Sequence, residues 1–215
     1  MYIKEPEKIE NKSMDIIDES LKDVFFNEDE IAIVKRMIHT TGDVEYRHII
    51  DFRNDFIERA KHAIKSSIKN KEKTYIYTDT NMIASGINKL ALLKANMELM
   101  TLVSDEDIRG LAKKRETTRS IVAIEEAVRR GARIFVIGNA PTALFRLIEL
   151  KNEAKCDPLF VIGVPVGFVG AAESKEELRK TDIPQITTIG TKGGSNVAAS
   201  IVNALLYECD LRVSI

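Results

Sequence analysis

The chain has 215 residues, of which 44% are hydrophobic and 30% charged, a mixture typical of a globular protein that buries a core without disulfides or a structural metal. Its net charge of −1 lacks the basic excess that is usual in a nucleic-acid-binding protein. No apolar run approaches the roughly 20 residues that cross a bilayer, and the two cysteines lack a zinc-ligand spacing. We therefore expect one domain over residues 1–215, cytoplasmic, with no metal site and no membrane or nucleic-acid partner.

The first seventy residues predict a mostly helical segment. Asn27 is followed three residues later by Glu30, the spacing of a capping box at a helix start. Apolar residues then recur at helical spacing, which predicts a helix over Glu28–His39 that ends before Gly42.

Residues 74–207 alternate strand and helix patterns. Helices are predicted over Thr117–Arg130, from Pro141 and from Ser195. The strand patterns are Thr74–Asp79, Met97–Val103, Arg133–Gly138, Leu159–Val164 and Gln185–Gly190. This alternation predicts an α/β fold with a parallel sheet flanked by helices, preceded by the N-terminal helical segment.

In a parallel sheet, ligands bind beyond the carboxyl ends of the strands. The loops expected there are rich in Gly, Asn, Thr and Ser, and small residues let a ligand approach backbone N–H groups. The last of them, Lys192-Gly193-Gly194-Ser195, opens a helix, where free N–H groups favour an anion. A tight strand-to-helix turn explains these glycines equally well. The sequence contains neither a P-loop nor a dinucleotide-binding glycine pattern.

Two further features carry chemistry. His39 falls near a predicted helix end, where the helix dipole favours a cation, and a protonated His beside a cleft can act as a general acid. A surface His at a helix end is the alternative, which the spacing alone favours. Arg115 and Arg119 lie four residues apart and form either a carboxylate clamp or a solvated helix face with Glu116.

Several segments together resemble one known family. They are Arg36–His39, Thr118–Ser120, Ile137–Leu144, Gly163–Lys175 (GVPVGFVGAAESK), Lys192–Ser195, Asn203–Leu205 and Ser13 with its neighbours. With these, the chain resembles the precorrin-8X methylmutases, also called cobalt-precorrin-8 methylmutases, of cobalamin biosynthesis. The resemblance spans roughly residues 10–207, and the VPVGFVGAAESK run is long enough to be specific.

The resemblance implies an isomerase without a cofactor. Members of the family move a methyl group from carbon 11 to carbon 12 of a tetrapyrrole and give hydrogenobyrinate, or cobyrinate when cobalt is present. It also implies a Rossmann-like or flavodoxin-like domain and a homodimer. The family's catalytic acid falls on His39, which protonates the ring and promotes a [1,5]-sigmatropic shift. Substrate contacts fall on Ser13 and Arg119, and the loops that bind the substrate's carboxylates contain Asp79, Asn139, Gly167, Lys192, Gly193, Gly194 and Ser195.

Two alternatives stay open at this point. One is an α/β transferase that binds a nucleotide or phosphate through Lys192–Ser195. The other is a corrinoid carrier without catalytic activity. The sequence also leaves open whether the tetrapyrrole carries cobalt.

Overall fold

A computed structural model describes residues 4–212 of the chain. A six-stranded sheet forms the centre of the fold. Its strands are β1 (Ile50–Arg53), β2 (Thr74–Thr78), β3 (Met97–Met100), β4 (Ile134–Ile137), β5 (Phe160–Gly163) and β6 (Gln185–Thr188). Their order is β1-β6-β5-β4-β2-β3, with β1 antiparallel to β6 and every other pair parallel. The predicted parallel sheet is confirmed. Counted from β2, the parallel strands follow the flavodoxin-like order 2-1-3-4-5.

Helices cover both faces of this sheet. They are α1 (Pro6–Ser20), α2 (Glu28–Thr41), α3 (Tyr46–Ile49), α4 (Phe56–Lys69), α5 (Asn81–Gly86), α6 (Lys89–Lys94), α7 (Glu106–Lys114), α8 (Arg119–Arg129), α9 (Pro141–Asn152), α10 (Ala171–Arg179) and α11 (Ser195–Tyr207). Within residues 4–212, no helix is long and apolar enough to cross a membrane.

The core has two parts because neighbouring residues of a strand point to opposite faces. On β4, Ile134 and Val136 join the cluster that contains α2, α4 and α11. Phe135 and Ile137 join the cluster that contains α8 and α9. All four side chains are buried, as expected of a parallel strand covered on both faces.

The N-terminal segment is mostly helical, as predicted, but it also supplies the edge strand β1, which the sequence analysis missed. Ile50 and Phe52 alternate with Asp51 and Arg53, a period-two pattern. Four residues directly after α3 are too few for this pattern to be distinguished from a helix end. Ile17 of α1 is buried in the same cluster as α2 and α11, so α1 packs on the helices that cover one face of the sheet.

Candidate functional site

The carboxyl ends of the parallel strands form the edge at which the predicted loops meet. The strand order reverses between β2 and β4, and such a switch point is where ligands bind in open α/β sheets. Three backbone hydrogen bonds connect the loops here. Val166 N–H donates to the carbonyl of Gly138, Gly167 N–H to that of Thr191, and Gly194 N–H to that of Val164. The loops after β4, β5 and β6 therefore form one surface.

Asp79 directly follows β2 and lies beneath this surface. Its Oδ1 accepts from the N–H of Gly138 at 3.0 Å, and its Oδ2 accepts from those of Asn139 and Ala140 at 2.9 and 2.7 Å. The side chain is only 1% exposed. Burial raises the pKa of this carboxyl group, and the three N–H donors oppose that shift. Asp79 was predicted to contact substrate; in this structure its carboxylate holds the loop that begins α9.

Glycines allow the loops to approach one another this closely. A Cβ on Gly193 would lie 2.1 Å from the carbonyl oxygen of Val164. A Cβ on Gly138 would lie 2.9 Å from the carbonyl oxygen of Gly194. The predicted tight turn is therefore real. It is also compatible with anion binding, because the first N–H groups of α11 have no acceptor within the helix.

His39 lies in the last turn of α2, as predicted, and is exposed. The Asn27–Glu30 capping box is present at the other end of the helix, and Gly42 ends it with φ +66°. Just beyond, Tyr46 Oη donates to the carbonyl oxygen of Gly193 at 3.3 Å. The fold thus brings the end of α2 that carries His39 to the glycine loop.

Lys192 forms the second connection between these segments. Its Nζ lies 2.5 Å from Oδ2 of Asp43 and 2.5 Å from Oε2 of Glu45, both just after α2. These hydrogen bonds raise the pKa of Lys192, and the bond from Lys192 lowers the pKa of Asp43. Lys192 was predicted to bind substrate carboxylates, and in this structure two protein carboxylates already pair with it.

Arg119 is exposed and is the first residue of α8, over the opposite face of the sheet from α2. Thr118 Oγ1 donates to Oγ1 of Thr142 at 3.3 Å, which ties the start of α8 to the start of α9 near Asn139. Asn139 itself is exposed. The expected shared helix face of Arg115 and Arg119 is wrong, because Arg115 caps α7 whereas Arg119 begins α8. Arg115 pairs with Glu125 at 2.7 Å.

Three further residues that were predicted to contact substrate, Ser195, Gly167 and Ser13, lie in different parts of the structure. Ser195 Oγ lies 2.9 Å from Oγ1 of Thr80, which joins the start of α11 to the loop after β2. Gly167 has φ +144°, a conformation that favours glycine. Ser13 is half-buried on α1, and Asp18 of that helix pairs with Lys35 of α2. The substrate contacts of all three stay predictions.

Sequence reasoning did not single out Lys175, which contacts the loop that begins α11. Its side chain is fully buried, and Nζ donates to Oγ1 of Thr188 at 3.0 Å and to the carbonyl oxygen of Lys192 at 2.7 Å. Burial, with a smaller effect of the Arg179 cation, lowers its pKa to about 8. Its position at the end of the VPVGFVGAAESK run was the available signal. Also in that run, Phe168 and Val169 are 94% and 89% exposed.

The sequence model of the precorrin-8X methylmutase family (CbiC) matches residues 8–208 of this chain. The chain belongs to the precorrin-8X methylmutase family. It is therefore an isomerase of the methylmutase type. The resemblance inferred from the sequence segments is confirmed.

Individual relatives align over nearly their full length. The cobalt-precorrin-8 methylmutase of Priestia megaterium is 40% identical over 98% of this chain and 91% of its own. The cobalt-precorrin-8 methylmutase of Salmonella typhimurium is 42% identical, and the alignment covers 96% of this chain and 97% of the relative. A crystal structure of precorrin-8X methylmutase from Thermus thermophilus superimposes with a TM-score of 0.84 at 32% identity, covering 94% of this chain and 96% of the other.

Proposed function

We propose that this methylmutase moves the methyl group on carbon 11 of cobalt-precorrin-8 to carbon 12 and releases cobyrinate. The observation that carries the proposal is the meeting of the His39 end of α2 with the glycine loop before α11. Tyr46 and Lys192 make that connection through Gly193, Asp43 and Glu45. A candidate proton donor and a candidate carboxylate-binding loop thus lie side by side.

In this proposal His39 is the general acid. The imidazole protonates the macrocycle near the migrating methyl group, which weakens the bond to carbon 11 and promotes the [1,5]-sigmatropic shift. The proton leaves the ring after migration, so substrate and product are isomers. Such a proton transfer contributes about 10²- to 10⁴-fold to the rate. Holding the ring in a reactive orientation contributes the rest.

The substrate is a flat ring that carries several carboxylates, and the carboxyl edge offers groups for both parts. The first N–H groups of α11 and the exposed guanidinium of Arg119 are donors for carboxylates. Phe168 and Val169 provide exposed apolar surface for the ring. Lys192 shares its charge with Asp43 and Glu45, so it contributes less to binding than an unpaired cation would.

The cobalt-containing form is the proposed substrate. Both curated relatives at 40–42% identity bear the name of the cobalt enzyme, and the structural relative at 32% bears that of precorrin-8X.

We further propose that the protein works in the cytoplasm as a homodimer. Leu90 and Leu93 lie three residues apart on one side of α6 and are 52% and 72% exposed. An interface between two copies would cover such side chains. Leu93→Glu is expected to shift the protein from dimer to monomer in sedimentation experiments, and a wild type that sediments as a monomer would contradict the proposal.

The function is tested by an absorption time course with cobalt-precorrin-8 and, separately, precorrin-8X. The migration changes the conjugation of the ring, so turnover shifts the visible spectrum, and chromatography identifies the product. We expect turnover with both forms and a higher kcat/KM for the cobalt form. Binding without a spectral change would instead indicate a carrier, and absence of binding would refute the corrinoid assignment.

His39→Asn tests the acid. It removes the proton donor and keeps a planar polar side chain, so kcat is expected to fall about 10²- to 10⁴-fold. His62→Asn is the matched control, because His62 is exposed on α4 and has no place in the proposed site. A His39→Asn enzyme with wild-type kcat would refute the role of His39.

A further inference from the structure

Lys175 is a buried cation that no protein carboxylate neutralises in the part of the chain described, residues 4–212. Two of its three N–H bonds are used, one to Thr188 Oγ1 and one to the carbonyl oxygen of Lys192. Both partners are neutral. Removing an ammonium group from water without a counter-charge is costly. This cost points to a role that an apolar side chain could not perform.

The position of this ammonium suggests the role. The Lys192 carbonyl oxygen also accepts from Thr188 Oγ1 at 2.6 Å, so two donors fix the peptide that leads into Gly193. Gly194 N–H donates to the carbonyl oxygen of Val164, and the carbonyl oxygen of Gly193 accepts from Tyr46 Oη. The loop that begins α11 is thereby fixed from three sides, and Lys175 provides the only charged group among these donors and acceptors.

Lys175 also connects the two walls of the proposed site. It lies on α10, whose N-cap is Gly170, directly after the exposed Phe168 and Val169. Lys175 Nζ of this helix donates to the carbonyl oxygen of Lys192 in the loop after β6. Gly167 N–H donates to the carbonyl oxygen of Thr191 in the same loop at 3.1 Å. A shift of α10 would therefore move the apolar wall relative to the start of α11.

We propose that Lys175 is a positioning residue for substrate binding. Its buried ammonium fixes the Lys192–Ser195 backbone in the conformation that receives the carboxylates of the substrate, and its positive charge lies behind that loop. This inference rests on the proposed function. It assigns to Lys175 an effect on binding, whereas the proton transfer stays with His39.

The test compares Lys175→Met with the wild type and with Lys180→Met. Methionine is one atom shorter, keeps the unbranched apolar part of the side chain and removes the charge and the donors. Lys192 C=O retains its bond from Thr188, so the fold is expected to persist. Lys180 lies at the exposed end of α10, pairs with Glu177, and serves as the control. We expect KM for cobalt-precorrin-8 to rise at least tenfold in Lys175→Met, with kcat within threefold of the wild type.

The dissociation constant of cobyrinate, measured against pH, gives a readout that loss of packing alone would not change. Because the pKa of Lys175 is about 8, wild-type affinity should fall as the pH rises through that value. Among the charged groups near Lys175, the Arg179 cation on α10 helps to lower its pKa. The other two pairs are between different residues: Asp51 of β1 lies 3.7 Å from Arg179, and Lys192 Nζ pairs with Asp43. Lys175→Met should lack this step.

An unchanged KM in Lys175→Met, a fall in kcat alone, or the same pH step in variant and wild type would each overturn the proposal. If the methionine variant does not fold, Lys175→Gln, which keeps one donor group and loses the charge, is measured in its place with the same criteria. A wild type that neither turns over nor binds corrinoid would refute the proposed function instead, so the two failures are distinguishable.

Discussion

The carboxylate of Asp79 offers a sharp test of how the site is held together. Asp79→Asn keeps the shape of the side chain but replaces one acceptor oxygen by an amide donor. Because the carboxylate accepts from three backbone N–H groups, at least one of them must lose its partner and face another donor. A hydrogen bond to a charged group contributes about 1.5–3 kcal/mol, and an unpaired buried N–H costs about 1–3 kcal/mol.

Removing the buried charge offsets part of this loss, since burial raises the pKa of Asp79 and so disfavours its ionised form. We expect the free energy of unfolding to fall by about 2–3 kcal/mol and Tm by about 5–10 °C. Urea titration followed by circular dichroism measures the first quantity. Asp15→Asn, at an exposed position on α1, is the matched control and should change stability by less than about 0.5 kcal/mol.

A loss below about 1 kcal/mol in Asp79→Asn, together with a raised KM, would refute the structural role. It would return Asp79 to the substrate-contacting role that the family resemblance implied.

Two more predictions concern the glycine loop. Gly193→Ala would place its Cβ 2.1 Å from the carbonyl oxygen of Val164, so we expect it to destabilise the fold by at least about 2 kcal/mol. The control is Gly110→Ala in α7, where a Cβ meets no atom within 4 Å, and it should stabilise the fold by about 0.5–1 kcal/mol. Equal urea midpoints for the two variants would contradict this prediction. The pair with Lys192 lowers the pKa of Asp43 in the folded protein. The pair therefore stabilises the fold fully at pH values above the unfolded-state pKa near 4. This stabilisation is lost as the pH falls through the folded-state pKa. The stability difference between wild type and Asp43→Asn, below about 1 kcal/mol at pH 7, should therefore vanish in acid, and a difference that grows in acid would refute the pairing.

Local patterns in the sequence predicted much of the fold. The five parallel strands, the Asn27–Glu30 capping box and the helix that begins at Ser195 all depend on residues within a few positions of one another. Hydrophobic periodicity and cap chemistry are properties of such short windows, and the alternation of strands and helices then restricts the sheet to a parallel arrangement. The family followed from longer segments, above all VPVGFVGAAESK.

The tertiary structure decided which groups are free to act. Lys192 reads as an available cation in the sequence, but it pairs with Asp43, a residue 149 positions away. Asp79 reads as a polar residue at the edge of the sheet, but its carboxylate is used by the loop 59 to 61 positions downstream. Lys175 lies in a recognisable motif, yet only the packing of α10 beneath the β6–α11 loop shows that its ammonium is buried. Contacts at such separations depend on how the strands are ordered in space, and no periodic pattern along the chain encodes that order.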